Sequence, residues 1–154
     1  MIRFRALVSH RAEVEVTRNL KLDRKTTISS FCKLKSADGP MLIGRDTDIA
    51  TGCFLSSGSA GIEIGSKVLV GPNTAIVGIN YDYSDVGTAF ADLPKISKGI
   101  RIENNVWIGA NSSILDGADI GEGSIIVANS TVSGKVAPRS IVAGNPAEVL
   151  FKRR

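Results

Sequence analysis

"VWIGANSSILDGADIGEGSIIVANSTV", residues 106–132, makes the same demand every six residues. Ile108, Ile114, Ile120, Ile126 and Val132 stand six apart, and Ile102 extends the series upstream. Two residues before each rung from Ile108 onward comes a small or β-branched residue: Val106, Ser112, Ala118, Ser124 and Ser130. Three after each rung from Ile102 to Ile126 comes Asn105, Asn111, Gly117, Gly123 or Asn129. The aliphatic rung fills a core, the small residue fits where the interior narrows, and Asn or Gly tolerates the backbone of a sharp corner. A period of six suits neither a helix at 3.6 nor hairpins with variable turns. It predicts short parallel strands joined by corners, an all-β parallel β-helix.

The N-terminal half carries the same ladder with an extra beat. Leu22, Ile28 and Leu34 form one set, Ile43, Ile49 and Leu55 a second, and Ile64, Val70 and Ile76 a third. The step is six within a set and nine between sets, so each coil runs 21 residues with three extra at one corner. The insertions fall around "KSADGP", around "SGSAG" and after Ile76. From Ile76 to Ile102 is 26 residues, which predicts a loop at about residues 77–99 protruding from a rigid prism, a usual mounting for binding residues. Cys32 and Cys53 are 21 apart, with Thr74 a further 21 on, so all three are expected to stack as small core residues. A redox pair is the sharper alternative, and it would need electropositive, exposed surroundings. Asn111 and Asn129 read as corner geometry rather than a site.

At 154 residues the chain is expected to be one domain, with residues 1–19 as an N-terminal cap and 137–154 as a closing segment with a basic tail. Aromatic content of 5% leaves the core to aliphatic side chains. The net charge of +4 suits a phosphate-bearing ligand and falls short of what nucleic-acid binding demands. No apolar stretch reaches signal-peptide or membrane-spanning length, so the expectation is a cytoplasmic protein without membrane insertion.

From "VWIG" through "ANSTV", followed by "IVAGNPAEVL", residues 141–150, the chain resembles the hexapeptide-repeat acyltransferases, specifically the maltose, galactoside and xenobiotic O-acetyltransferase group. The resemblance covers residues 40 to 151. It implies a left-handed β-helix, a triangular prism assembling as a homotrimer, with acetyl-CoA as co-substrate in the groove between two prisms. It places contacts to the pantetheine arm at Ala110 and Ala128 and an approach to the nucleotide end at Ser133. Trp107 reads as packing, with a place in the cofactor groove as the alternative. The family often has a basic residue after "NPA", where this chain has Glu148, and the next such place is Phe151. Lys152, Arg153 and Arg154 would meet the cofactor phosphates if the tail folds back, since a phosphate needs a positive charge within reach. A solvated terminus is the other reading.

The resemblance also implies a catalytic histidine in the loop, because histidine titrates near neutrality and suits removal of a hydroxyl proton. Counting on from Ile76 puts it at Tyr81, and a second placement puts it at Ile79. Neither is histidine. The chain's single histidine is His10, in the segment read as a cap. Tyr81 and Asp82 are the substitutes. A phenol of pKa about 10 donates better than it accepts, and Asp82 or Asp85 would need burial to lift a pKa of about 4. Tyr83 and Phe90 are placed either to stack on a sugar ring or to pack on the prism.

One histidine does not supply the three imidazoles of a zinc site on this fold, and no Cys/His cluster replaces them, so no metal is expected. "GEG" at 121–123 lies inside the repeat and is no nucleotide fingerprint. The sequence points to CoA-dependent O-acetylation of a sugar or other small hydroxyl compound. A trimeric β-helix that binds ligands or partners without turnover is the alternative.

Overall fold

The computed structural model describes residues 6–154. Its strands wind into a left-handed parallel β-helix whose three sheets form the sides of a triangular prism. The first face stacks Leu7–Val8, Thr27–Ile28, Asp48–Ile49, Leu69–Val70, Trp107–Ile108, Ile125–Ile126 and Ser140–Gly144. The second stacks Glu13–Val14, Lys33–Lys35, Phe54–Ser56, Ala75–Val77, Ser113–Leu115 and Thr131–Val132. The third stacks Leu20–Leu22, Met41–Ile43, Ile62–Ile64, Ile100–Ile102, Asp119–Ile120 and Lys135–Val136. The first corner joins the first and second faces, the second corner the second and third, and the third corner returns to the next coil.

Every rung of the ladder sits one coil above its predecessor in register: Ile28 on Ile49, Val70 on Ile108, Ile114 on Val132. These rungs are buried, except Leu22 near the open N-terminal end, which is half-buried. The residue three beyond a rung takes left-handed φ at every third corner and at the first corners from Phe31 to Asn129. Asn105, Asn111 and Asn129 do so as expected, and so do Asp46, another turn former, and Lys25, Phe31, Lys67 and Arg139, which carry no corner signature in their side chains. The small residues before the rungs plug the first corner by bonding to the carbonyls of neighbouring coils. Cys32 Sγ donates to Ala50 O at 3.0 Å, Cys53 Sγ to Gly71 O at 3.2 Å, and Thr74 Oγ1 to Gly109 O at 3.3 Å. Both cysteines are free and buried, in agreement with the packing reading. Their proximity splits their acidity: the Cys53 thiol draws Cys32 down to about 7, while Cys32 and burial push Cys53 up.

The N-terminal segment expected as a cap is itself a coil. Leu7–Val8 pairs parallel with Thr27–Ile28, and Glu13–Val14 with Lys33–Leu34. Its ladder was hidden because Val8 and Val14 are its only aliphatic rungs before Leu22, too few to announce a period. At the other end, Ala147–Lys152 folds back antiparallel on Ser140–Gly144, with a bulge beyond Ile141.

Only the second corner varies in length. Its rung-to-rung steps run Val14–Leu22, Leu34–Ile43, Leu55–Ile64, Ile76–Ile102, Ile114–Ile120 and Val132–Val136. The fourth releases the long loop, whose stem is a short antiparallel pair of Asn80–Tyr81 with Lys95–Ile96.

Candidate active site

The long loop leaves the edge of the second face after Val77 and returns to the third face at Ile100. Its return is clamped by Asp116, one coil further on. The Asp116 carboxylate accepts the N–H of Lys98 on both oxygens at 2.8 and 2.9 Å and that of Gly99 at 2.9 Å. The stem is tied across the corner by Lys95 Nζ to Asp38 Oδ2 at 3.2 Å, and Ser97 Oγ donates to Gly78 O at 2.7 Å. Sequence reasoning missed Asp116. Its one signal is a carboxylate two past the rung Ile114, where two earlier coils place Ser36 and Ser57.

Beyond the stem the loop stands in solvent. Tyr83 is 70% and Phe90 76% exposed, so neither packs on the prism. Tyr81 is 39% exposed and lines a cleft at the loop's base. Asp82 and Asp85 lack the burial that would raise them, and both are lowered instead. The Ser84 hydroxyl and N–H hold Asp82 down, and the Thr88 hydroxyl and Gly87 N–H hold Asp85 down. As bases they are weakened by local turn geometry. His10 sits exposed on the first corner of the first coil, three coils or about 14 Å along the prism from the loop.

Ala110 and Ala128 stack at the first corner on successive coils, where Ala110 O accepts Asn129 N–H at 2.9 Å. Their own N–H groups take no part in the hydrogen bonds between coils. Gly109 permits this stacking: a Cβ there would lie 2.4 Å from Ala128 N. From this corner to the loop's side runs the outer surface of the second face, which is low. It carries Ala75, Ser113 and Thr131 in one register row and Val77 and Leu115 in the next, ending at Ser133 on the second corner. Ala110, Ala128 and Ser133 thus flank one shallow strip that ends beneath the loop.

The basic tail does fold back, onto the opposite edge of the first face. Lys152 pairs with Ser140 while Ala147 pairs with Gly144, which stacks above the Ala128 corner. Lys152 therefore lies four residues, about 13 Å, from that corner. Arg153 reaches the third corner, where its N–H meets Arg139 O at 2.7 Å and Nη1 meets Gly123 O at 2.8 Å. There Arg139, Arg153 and Arg154 line a cleft of about 510 Å³ with Asn105 and Glu122. Sequence reasoning gave Lys152 where the structure gives Arg139, because the fold-back decides which side chains converge. Within one chain the arginine cleft and the Ala110–Ala128 corner stay apart. Trp107 stands 54% exposed on the first face, not packed into the core. Among the described residues no group of three His, Cys, Asp or Glu is placed to hold a metal ion, and no helix is long and apolar enough to cross a membrane.

Residues 99–134 match the family model described as bacterial transferase hexapeptide (six repeats). The chain is similar to "Probable acetyltransferase Rv3034c" of Mycobacterium tuberculosis, 29% identical over 143 residues covering 93% of this chain and 45% of that protein. It spans about half or less of the length of the curated relatives it first matches. Among solved structures it resembles the hexapeptide-repeat containing acetyltransferase VCA0836 of Vibrio cholerae, at TM-score 0.70 and 29% identity, covering 97% of this chain and 71% of that one. It shares its fold with AntD, an N-acyltransferase of Bacillus cereus solved with dTDP and 3-hydroxybutyryl-CoA. That match has TM-score 0.85 and 24% identity over 97% of this chain and 80% of that one.

Proposed function

The chain belongs to the hexapeptide-repeat acyltransferase family, and on that premise we propose that it transfers an acetyl group from acetyl-CoA to a hydroxyl of a sugar or similar small acceptor. The observation that carries this reading is the low strip on the second face. It begins at the free N–H groups of Ala110 and Ala128, suited to the amides of a pantetheine arm, and ends under the loop that holds Tyr81. AntD, an N-acyltransferase of the same fold solved with dTDP and 3-hydroxybutyryl-CoA, supports a CoA thioester as co-substrate.

In the reaction the acceptor oxygen attacks the thioester carbonyl carbon, the C–S bond breaks, and the hydroxyl proton leaves to water or to the departing thiolate. The Tyr81 hydroxyl donates to the carbonyl oxygen as charge develops there. Alignment of the two reactants supplies most of the acceleration, up to about 7–11 kcal/mol in well-oriented cases. The missing base costs a factor of about 10² to 10⁴.

The working form is a homotrimer. Leu69, Trp107, Ile125, Ile141 and Phe151 form one continuous apolar row across the first face, and such a row is characteristic of a buried contact. Assembly brings the arginine cleft of one prism toward the first corner of the next, so that Arg139, Arg153 and Arg154 meet the cofactor phosphates.

Calorimetric titration of the full chain with acetyl-CoA tests the reading. Saturable binding near one site per chain, weakened in Arg153→Ala, is expected. No binding at millimolar acetyl-CoA removes the transferase. The absence of any imidazole in the loop favours the second reading, a trimeric binding or scaffold protein. Binding of acetyl-CoA without transfer to any hydroxyl or amino sugar would establish that one.

A further inference from the structure

Besides Tyr81, the cleft at the loop's base has hydrogen-bonding groups that the transferase reading leaves unused. It encloses about 240 Å³ between the second corner and the stem, lined by residues that include Glu15, Lys35, Asp38, Ser56, Tyr81 and Lys95. One oxygen of each of its carboxylates is engaged. Glu15 Oε2 takes the N–H groups of Ser36 and Ala37 at 3.0 and 3.1 Å, and Asp38 Oδ2 takes Lys95 Nζ at 3.2 Å. Its donors are left over. Among the described residues Lys35 has no ion pair, and neither the Ser56 nor the Tyr81 hydroxyl has a partner in the fold.

Ser56 is only 7% exposed, so its unpartnered hydroxyl is not simply a surface group. It lies in register with Lys35 on one side and with Val77, the last residue before the loop, on the other. The β-helix thus stacks an ammonium and a hydroxyl on successive coils and brings a phenol down beside them from the loop. A lysine offers three donors and accepts nothing. A ligand group that satisfies this set must carry acceptors, and charge makes each bond about twice as strong.

We infer that this cleft binds an anionic group, a carboxylate or a phosphate, on the acyl acceptor, with Lys35 as the charged contact and Ser56 as a hydrogen-bond donor beside it. The inference rests on the transferase reading and narrows its acceptor from a small hydroxyl compound to an acidic one, such as a uronic acid or a sugar phosphate. Lys35 is a specificity residue here, and it takes no proton in the transfer.

The test titrates the full chain with glucose, glucuronate and glucose 6-phosphate at about 0.15 M ionic strength, where loose surface attraction is largely screened. At least one anionic sugar should bind about tenfold or more tighter than glucose, the worth of one charge-assisted hydrogen bond. Lys35→Gln should abolish that preference, and Lys35→Arg should retain most of it. Lys33→Gln, on the same face and paired with Glu13 at 2.8 Å, should leave it intact. Which anion binds tighter tells carboxylate from phosphate. Equal binding of the three sugars, no binding of any, or a preference untouched by Lys35→Gln overturns the inference. Acetyl-CoA titrated against the same proteins separates the two readings. If it binds while the anion preference is absent, only the inference fails; if it does not bind, the transferase reading fails on its own.

Discussion

Position 81 sets a phenol at the mouth of the loop cleft, where an imidazole would serve as base. A phenol donates a hydrogen bond better than it removes a proton, so on the proposed reading Tyr81 stabilises developing charge without acting as base. Tyr81→His should therefore raise kcat for a hydroxyl acceptor, by as much as about 10² to 10⁴ if the imidazole is well placed. A rate unchanged in both Tyr81→His and Ile79→His would remove the loop from the site. The neighbouring carboxylates give a second check. Because turn hydrogen bonds lower Asp82 and Asp85, both stay ionised above pH 4, their contribution to the loop is complete there, and it vanishes only as pH falls through the lowered values. Asp82→Asn should leave the rate unchanged between about pH 5 and 9, whereas removal of a catalytic Asp82 would lower it across that whole range, by about 10² or more.

Among the elements, the second corner is where the repeat gives way. First and third corners lock their length by a left-handed residue three past each rung, and one inserted residue there would throw the next rung out of the core. The second corner precedes the third face, and its chain can bow outward before re-entering register. That freedom houses the loop and makes its anchors matter. Asp116→Ala removes three hydrogen bonds on the returning strand while leaving the rungs intact. It should cost about 1–3 kcal/mol of stability by thermal unfolding and reduce transfer activity by more than tenfold. Full activity in Asp116→Ala would show that the loop's position does not matter to the reaction. Gly109→Ala acts on a different element, forcing a methyl group against Ala128 N. It should weaken acetyl-CoA binding more than it weakens the loop, as read by titration of the folded variant.

For the whole molecule, three faces with different surfaces divide the work. The third face carries opposed charges in register, with Arg101 between Glu63 and Asp119, and suits solvent. The second holds the shallow strip and borders the cleft at the loop's base. The first is apolar from Leu69 to Phe151, and none of the described residues covers it. Leu69→Asp with Trp107→Asp places two carboxylates in that row without touching the core. Sedimentation should then give the 16.3 kDa chain mass where the native protein gives three times that value. Loss of acetyl-CoA affinity alongside the trimer would place the cofactor between prisms, and retention of affinity in the monomer would place it on one.

The sequence by itself determined the prism. Ile102 to Val132 hold a six-residue step because each aliphatic rung must stack on the one below, and a slip exposes the whole ladder to water. It also determined the loop's position and the absence of a local imidazole, since both follow from counting along a regular ladder. It did not reveal the first coil, whose rungs Val8 and Val14 are too sparse to announce a period, nor corners built on Lys25, Phe31, Lys67 and Arg139, which carry no turn signature. Only the tertiary structure decided which charged groups meet. Arg139 joins Arg153 through the fold-back of the tail, Asp116 clamps Lys98 across one coil, and Lys35 meets Ser56 across another. These contacts depend on coil-to-coil register and on how far a side chain reaches, and neither leaves a trace in local spacing.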